Sequence, residues 1–545
     1  MIRTPIFDFV KTYTASAPVR LHMPGHKGRG PLGCEALDLT EIPGADSLYE
    51  AAGVIAESEA NASALFGCPT FYSTEGSSHC IRAMLLLAEQ VWRWRHSKAP
   101  AHDAEESGFS AQLRTTGRGG FFASLRMTGR DGFRVLAARN AHKAFLSAAA
   151  LLDLDVCWLP ADADSYLSAD PTPEALDAAL TDSGAAAVYL TCPDYLGNLP
   201  DLQPLAAVCH AHGALLLVDN AHGAYLRFLT PSRHPMSLGA DLCCDSAHKT
   251  LPVLTGGAYL HVAAGMLQAS AKKADAGQEA RPLREDGSRF GVQTTAPQGG
   301  AGQKAEPGPL CTQSVREALA LFGSTSPSYL ILQSLDLANP DLETLPARLA
   351  AFLPRIAALK ARLCAAGWRL IGDEPLKLTF DLRPSPATDN AGVSSGPPRS
   401  GTALAAALEQ AGIFCEFADR DFLVLMVSPE HTEAELARLE AALTAPESRM
   451  AEGRTSDACP YTDTGEAFAP LHRLVPEVVC TIREAMLAPA VSVPAAESLG
   501  RVLARPGVSC PPAVPILMPG ERIDEAAVAA FRRYRIETVS VLQNL

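Results

Sequence analysis

Ala240-Asp241-Leu242-Cys243-Cys244-Asp245-Ser246-Ala247-His248-Lys249-Thr250-Leu251-Pro252 is the stretch on which the reading of this chain turns. Its first half is an apolar run with the length of a buried strand, and polar residues and a proline end it abruptly. A histidine and a lysine stand just past that end. Earlier in the chain a second apolar run, residues 214–218, stops at an acid, Asp219. If the two runs are neighbouring strands, a lysine and a carboxylate meet at the same edge of one sheet.

The surrounding sequence supports such a sheet. Strands are expected at residues 134–138, 156–159, 186–191, 214–219, 241–246 and 258–262, and helices at 79–95, 141–152, 173–181 and 202–212. Pro173 suits a first helical turn, and Gly213 suits a helix stop. Alternation of this kind predicts an α/β fold with a mostly parallel sheet covered by helices. Ligands bind such sheets beyond the carboxyl ends of the strands, where Asp219 and Lys249 fall.

Two stretches interrupt the rhythm, 97–131 and 264–309, and they read as insertions rich in small and polar residues. Residues 384–400 and 446–465 are shorter segments of the same kind. Beyond residue 339 the pattern changes. A long helix at 342–366 precedes strands at 368–371 and 376–382. A helix at 402–411, strands at 414–417 and 422–427 and a helix at 433–443 follow. Two further helical runs, 477–486 and 525–535, close the chain. The division expected is an N-terminal arm (1–45), a large ligand-binding domain (46–340), a small α+β domain (341–450) and a C-terminal domain (451–545).

Composition narrows the function classes. The chain has 545 residues, 47% hydrophobic and 19% charged, which fits a globular protein of several domains rather than a disordered one. A net charge of -14 argues against a nucleic-acid partner. The 14 cysteines contain no C-x-x-C pair and read as reduced thiols of a cytoplasmic protein. No signal peptide and no apolar run of about 20 residues is visible, so neither export nor a membrane span is expected. Cys209-His210-Ala211-His212 lies on an expected helix, and no metal is assigned to it.

A lysine amine and a carboxylate side by side meet the needs of pyridoxal 5'-phosphate (PLP): the amine condenses with the cofactor aldehyde, and the acid keeps the pyridine nitrogen protonated. Lys249 and Asp219 are the candidates. The competing readings are a surface lysine and a helix-capping aspartate. Gly76-Ser77-Ser78 leads into a helix and offers amides and hydroxyls to a phosphate. His142, after the strand at 134–138, could stack on a ring, and the competing reading is a structural histidine. His222, in Asp219-Asn220-Ala221-His222-Gly223, either lines the pocket or caps the turn. Ser324 and Thr325 form a second hydroxyl cluster. The stretch from Asp38 to Leu48 carries carboxylates that could meet a basic substrate.

In concert these segments resemble the Orn/Lys/Arg decarboxylases, bacterial PLP enzymes of fold type I. The likeness is carried by His22-Met23-Pro24-Gly25-His26-Lys27-Gly28, the 38–48 stretch, the box from Asn140 to Lys143, Asp219 to Gly223, Ser246 to Pro252, the 322–329 segment and Pro511 to Glu521. The resemblance implies α-decarboxylation of a basic amino acid, arginine or lysine before ornithine, in polyamine biosynthesis. It implies Lys249 as cofactor anchor, Asp219 on the pyridinium and His142 on the ring. Ser77, Ser78, Ser246 and His248 would sit at the phosphate or groups beside it, with His222 nearby, and Ser324 and Thr325 would reach a phosphate across a homodimer interface with shared active sites. The chain is similar to the short form of the family, without an N-terminal wing domain. It departs from the family at Glu75 (commonly Asn), Asn220 (Glu), Gly256 (Gln) and Ala513 (Gly). An aminotransferase of the same fold type and a catalytically weak regulatory paralogue are the alternative readings.

Overall fold

A computed structural model describes residues 2–97, 132–159, 165–268, 308–383, 400–445, 476–507 and 512–543. The insertions expected at 97–131 and 264–309, and the segments at 384–400 and 446–465, fall largely outside these residues.

The main sheet has seven strands: β1 (Thr70–Ser73), β2 (Arg134–Ala138), β3 (Asp155–Leu159), β4 (Ala187–Thr191), β5 (Leu215–Asp219), β6 (Leu242–Asp245) and β7 (Ala258–Val262). Their order is β1-β7-β6-β5-β4-β2-β3. Only β7 runs against its neighbours, pairing antiparallel with both β6 and β1. The expected α/β class and mostly parallel sheet are therefore present. β5, β6 and β7 are buried along their whole length, as their apolar runs require when helices cover both faces. Helices Ser77–Ser97 and Lys143–Leu152 pack on one face, and Pro173–Ser183 and Leu202–Ala211 on the other.

Local sequence sets the helix ends. Thr172 accepts the amide of Ala175 and Pro173 fills the first turn, while Gly184 closes that helix at φ +60°. Sequence reading missed β1, because residues 70–73 are a short edge strand running straight into a helix start. It also placed the start of the long helix too late. That helix spans Tyr329–Ala365 with Pro340, Pro346 and Pro354 inside it, and so crosses the expected boundary at 340/341. A buried stripe from Leu332 to Leu363 holds it in place where the prolines argue locally for a break.

Beyond it lies a four-stranded antiparallel sheet: β8 (Leu370–Ile371), β9 (Lys377–Asp381), β10 (Phe417–Ala418) and β11 (Phe422–Met426), in the order β10-β11-β9-β8. A third sheet, β12 (Ala490–Pro494), β13 (Leu503–Arg505) and β14 (Thr538–Leu542), was not anticipated. Its strands are short, and β12 is largely exposed, so no clean alternation marks it. Among the described residues no helix is long and apolar enough to cross a membrane.

Candidate active site

The order of the main sheet reverses between β2 and β4: β3 lies outside β2, while β4 to β7 continue the other way. A crevice opens at the carboxyl edge of such a reversal. Register aligns the strand ends there, with Thr191 opposite Asp219 and Asp219 opposite Cys244. Lys249 follows β6 on a single helical turn, Ala247–Thr250.

Lys249 is exposed, and its Nζ lies 3.0 Å from Nε2 of buried His222. An ammonium can only donate, so Nε2 accepts and the imidazole proton sits on Nδ1. Burial, followed by the charges of Lys249 and Lys377, holds the His222 imidazole well below its usual range, which keeps the ring neutral. Its Nδ1 is buried without a partner. The Tyr195 ring packs edge-on against His222, with centroids 5.2 Å apart.

Asp219 ends β5 and is 2% exposed. It accepts from the Tyr189 hydroxyl at 3.1 Å, the Ala221 amide at 3.1 Å and, weakly, the Cys244 thiol. All three donors are neutral. Burial raises its carboxyl above the usual range, against the opposing pull of the Lys249 charge. Nearby strand ends carry further unsatisfied groups: both side-chain polar atoms of Asn140 and the hydroxyl of Thr191 are buried without a partner.

His142 caps helix Lys143–Leu152, its Nδ1 accepting from the Ala144 amide. Burial, then the charges of Lys249 and Lys143, pushes this imidazole down to about 4. Lys249, His222, His142 and Asp219 are thus brought together.

Ser77 and Ser78 open helix Ser77–Ser97 after Gly76, whose φ of +73° turns the chain. The Ser246 hydroxyl donates to that of Ser77 at 2.7 Å. His248 follows Ser246 in sequence, its Nδ1 on the Gly257 carbonyl at 3.1 Å. Ser324 and Thr325 are exposed and make no contact with the Lys249 group; the Ser324 amide donates to Glu75 at 2.5 Å. That bond draws the unusual Glu75 carboxylate toward the 323–328 loop.

Two carboxylates of the 38–48 stretch are engaged within the chain. Asp46 accepts from the amides of Ser47, Ala52, Gly53 and Ile55, and Asp38 binds His26 at 3.1 Å. Both organise turns. His210 and His212 bind Asp241 and Asp177. Behind β6, His234, Asp245 and His261 are close enough to share an ion, but Oδ2 of Asp245 already accepts from both Nε2 atoms at 3.0 Å.

Three residues beside the site escaped sequence reading. Lys377, on β9, is 2% exposed and donates to the carbonyls of Asp194 and Tyr195 at 3.0 and 3.4 Å. A lone lysine in Pro375-Leu376-Lys377-Leu378-Thr379-Phe380 was a usable signal. Tyr195 and Glu416, joined hydroxyl to carboxylate at 2.8 Å, carried none, since they are 221 residues apart.

Fold and site together define an α/β enzyme with a lysine amine beside a buried acid at a sheet edge. The model for the major domain of Orn/Lys/Arg decarboxylases matches residues 99–280. The chain is 27% identical to the uncharacterized protein YaaO of Bacillus subtilis, over 98% of this chain and 94% of that one. It is 26% identical to an arginine decarboxylase of Halalkalibacterium halodurans, over 97% and 93%. The lysine decarboxylase of Francisella novicida shares the fold, with a TM-score of 0.65 at 15% identity over 99% of this chain and 81% of that one. The resemblance read from the motifs is borne out: part of the chain matches the major-domain model of the Orn/Lys/Arg decarboxylases, and nearly all of it is similar in sequence to an arginine decarboxylase.

Proposed function

We propose that the protein is a PLP-dependent α-decarboxylase of a basic amino acid, arginine or lysine before ornithine, releasing carbon dioxide and the matching amine as a polyamine precursor. The observation that carries this reading is Asp219: a buried carboxylate with neutral donors alone, beside a lysine amine. A buried carboxylate is costly without a cation, and a pyridinium nitrogen would supply one. The unsatisfied Asn140 and Thr191 groups at the same edge fit an additional polar guest. The residues present therefore fit PLP.

Lys249 would hold the cofactor covalently, and Asp219 would hold its ring nitrogen. His142, fixed by its cap and neutral near pH 7, would lie against the ring. Ser77, Ser78 and Ser246 would take the phosphate at a helix N-terminus, where amides and the helix dipole favour an anion. When bound, PLP supplies an electron sink for the bond broken at Cα. The chain's own share is positional and protonic. His222 Nε2 accepts a hydrogen bond from Lys249 and orients its amine, and the neutral ring adds no second positive charge beside it. Asp219 fixes charge at one ring atom in a water-poor setting.

Relatives named arginine decarboxylase put arginine first among the substrates. A homodimer belongs to the same proposal: exposed Val19, Leu21, Met23 and Leu32 flank and include the 22–28 loop and offer a second copy an apolar surface. Free cysteines accord with a cytoplasmic location. The test is a side-by-side assay of PLP-loaded protein with arginine, lysine and ornithine. Carbon dioxide with the matching amine supports the reading. Keto-acid formation supports an aminotransferase, and absence of any turnover a regulatory paralogue.

A further inference from the structure

A basic substrate brings a cation at the far end of its side chain, and the pocket needs an anion to receive it. Most carboxylates around Lys249 are engaged. Asp219 is reserved for the ring nitrogen. Asp245 holds two histidines, and Asp194 accepts both the amide and the side chain of Asn198. Glu75 holds the Ser324 amide. Glu374 is 2% exposed, bound to the Tyr225 hydroxyl and flanked by Lys360 and Lys377. Glu416 differs. It is half-buried, takes one hydrogen bond, from Tyr195, and among the described residues its second oxygen has no partner.

A continuous chain of contacts joins it to the reaction centre. Lys249 touches His222, His222 packs on the Tyr195 ring, and the Tyr195 hydroxyl donates to Glu416. From the opposite side Lys377 holds the Tyr195 carbonyl and lies 5.7 Å from its ring centroid. Two residues of the small sheet region thus fix one tyrosine, which links a carboxylate to the histidine that meets Lys249. We propose that Glu416, oriented by Tyr195, receives the distal ammonium or guanidinium of the substrate and determines the preference for basic amino acids. The assignment rests on the decarboxylase reading above.

The test compares wild type, E416Q and Y195F on lysine against norleucine and on arginine against citrulline. Loss of a charge-assisted bond predicts that E416Q loses roughly ten- to a hundredfold in kcat/KM on the preferred basic substrate. Its activity on the neutral isostere stays within about threefold, because no charge is lost there. Y195F gives a smaller loss of the same selectivity. Borohydride trapping of PLP at Lys249 is unchanged in both variants and reports an intact site. Equal losses on charged and neutral substrates, or no loss on either, overturn the assignment while leaving the decarboxylase reading in place. A trapped wild-type enzyme that releases carbon dioxide from none of these amino acids overturns both.

Discussion

The Nζ of Lys249 lies 3.0 Å from Nε2 of His222, and His222 is held neutral by burial and by the charge it accepts from. Replacing His222 with Phe keeps the packing on Tyr195 and deletes the acceptor. The expected result is a fall in kcat of roughly ten- to a hundredfold, the worth of one hydrogen bond to a charged group, with PLP content unchanged. Steady-state kinetics alongside absorbance of the bound cofactor checks it.

Asp219→Asn removes the charge that would hold the ring nitrogen and leaves neutral donors around an amide of similar shape. A loss of about a hundredfold or more in kcat is expected, on the scale of a single preorganised electrostatic contact. Thermal stability of the cofactor-free variant should match or exceed wild type, because a buried carboxylate that is costly to ionise is gone. A variant that retains wild-type kcat would contradict the role.

Acid stability carries the sign of His142. Its folded-state pKa, about 4, lies below the unfolded value near 6.5, so the folded state binds fewer protons. The stability tied to neutral His142 is complete above the unfolded value and is lost as pH falls through the folded one. His222 has the same sign. Melting temperatures should therefore decline between about pH 6.5 and 4. His142→Asn keeps a helix-capping side chain, and its decline over that window should be shallower.

Asp245 ties three elements together through His234, His261 and Asn220, the last at 2.6 Å. The two imidazoles hold its carboxyl well below the usual range, and the carboxylate in turn raises His261 against burial. Asp245→Asn should cost about 3–5 kcal/mol, the penalty for breaking a buried ionic network from one side. Denaturant unfolding measures it.

The sequence was legible where the chemistry is local. Asp219 closes a recognisable strand and Lys249 follows one by a single helical turn, so both could be read without a partner in view. The gaps have physical causes. β1 is a short edge strand beside the antiparallel β7, and its four residues carry no periodicity of their own. Pro340 hides a helix that long-range packing sustains. Tyr195 and Glu416 meet only because the small sheet folds against the loop after β4. That Asp46 is held by four backbone amides and Asp38 by His26 could not be read from the sequence, because these contacts depend on the folded turns.

The central claim is that Lys249 anchors the cofactor, and two other lysines are near enough to make the claim sharp: Lys143, at the start of its helix, and Lys377, behind Tyr195. Borohydride reduction of the PLP-loaded protein, followed by proteolysis and mass mapping, reads the attachment point directly. The expected result is a single pyridoxyl adduct on the peptide bearing Ser246-Ala247-His248-Lys249, absent in Lys249→Ala. An adduct on Lys143 or Lys377, or no adduct at all in a protein that binds PLP, would contradict the account.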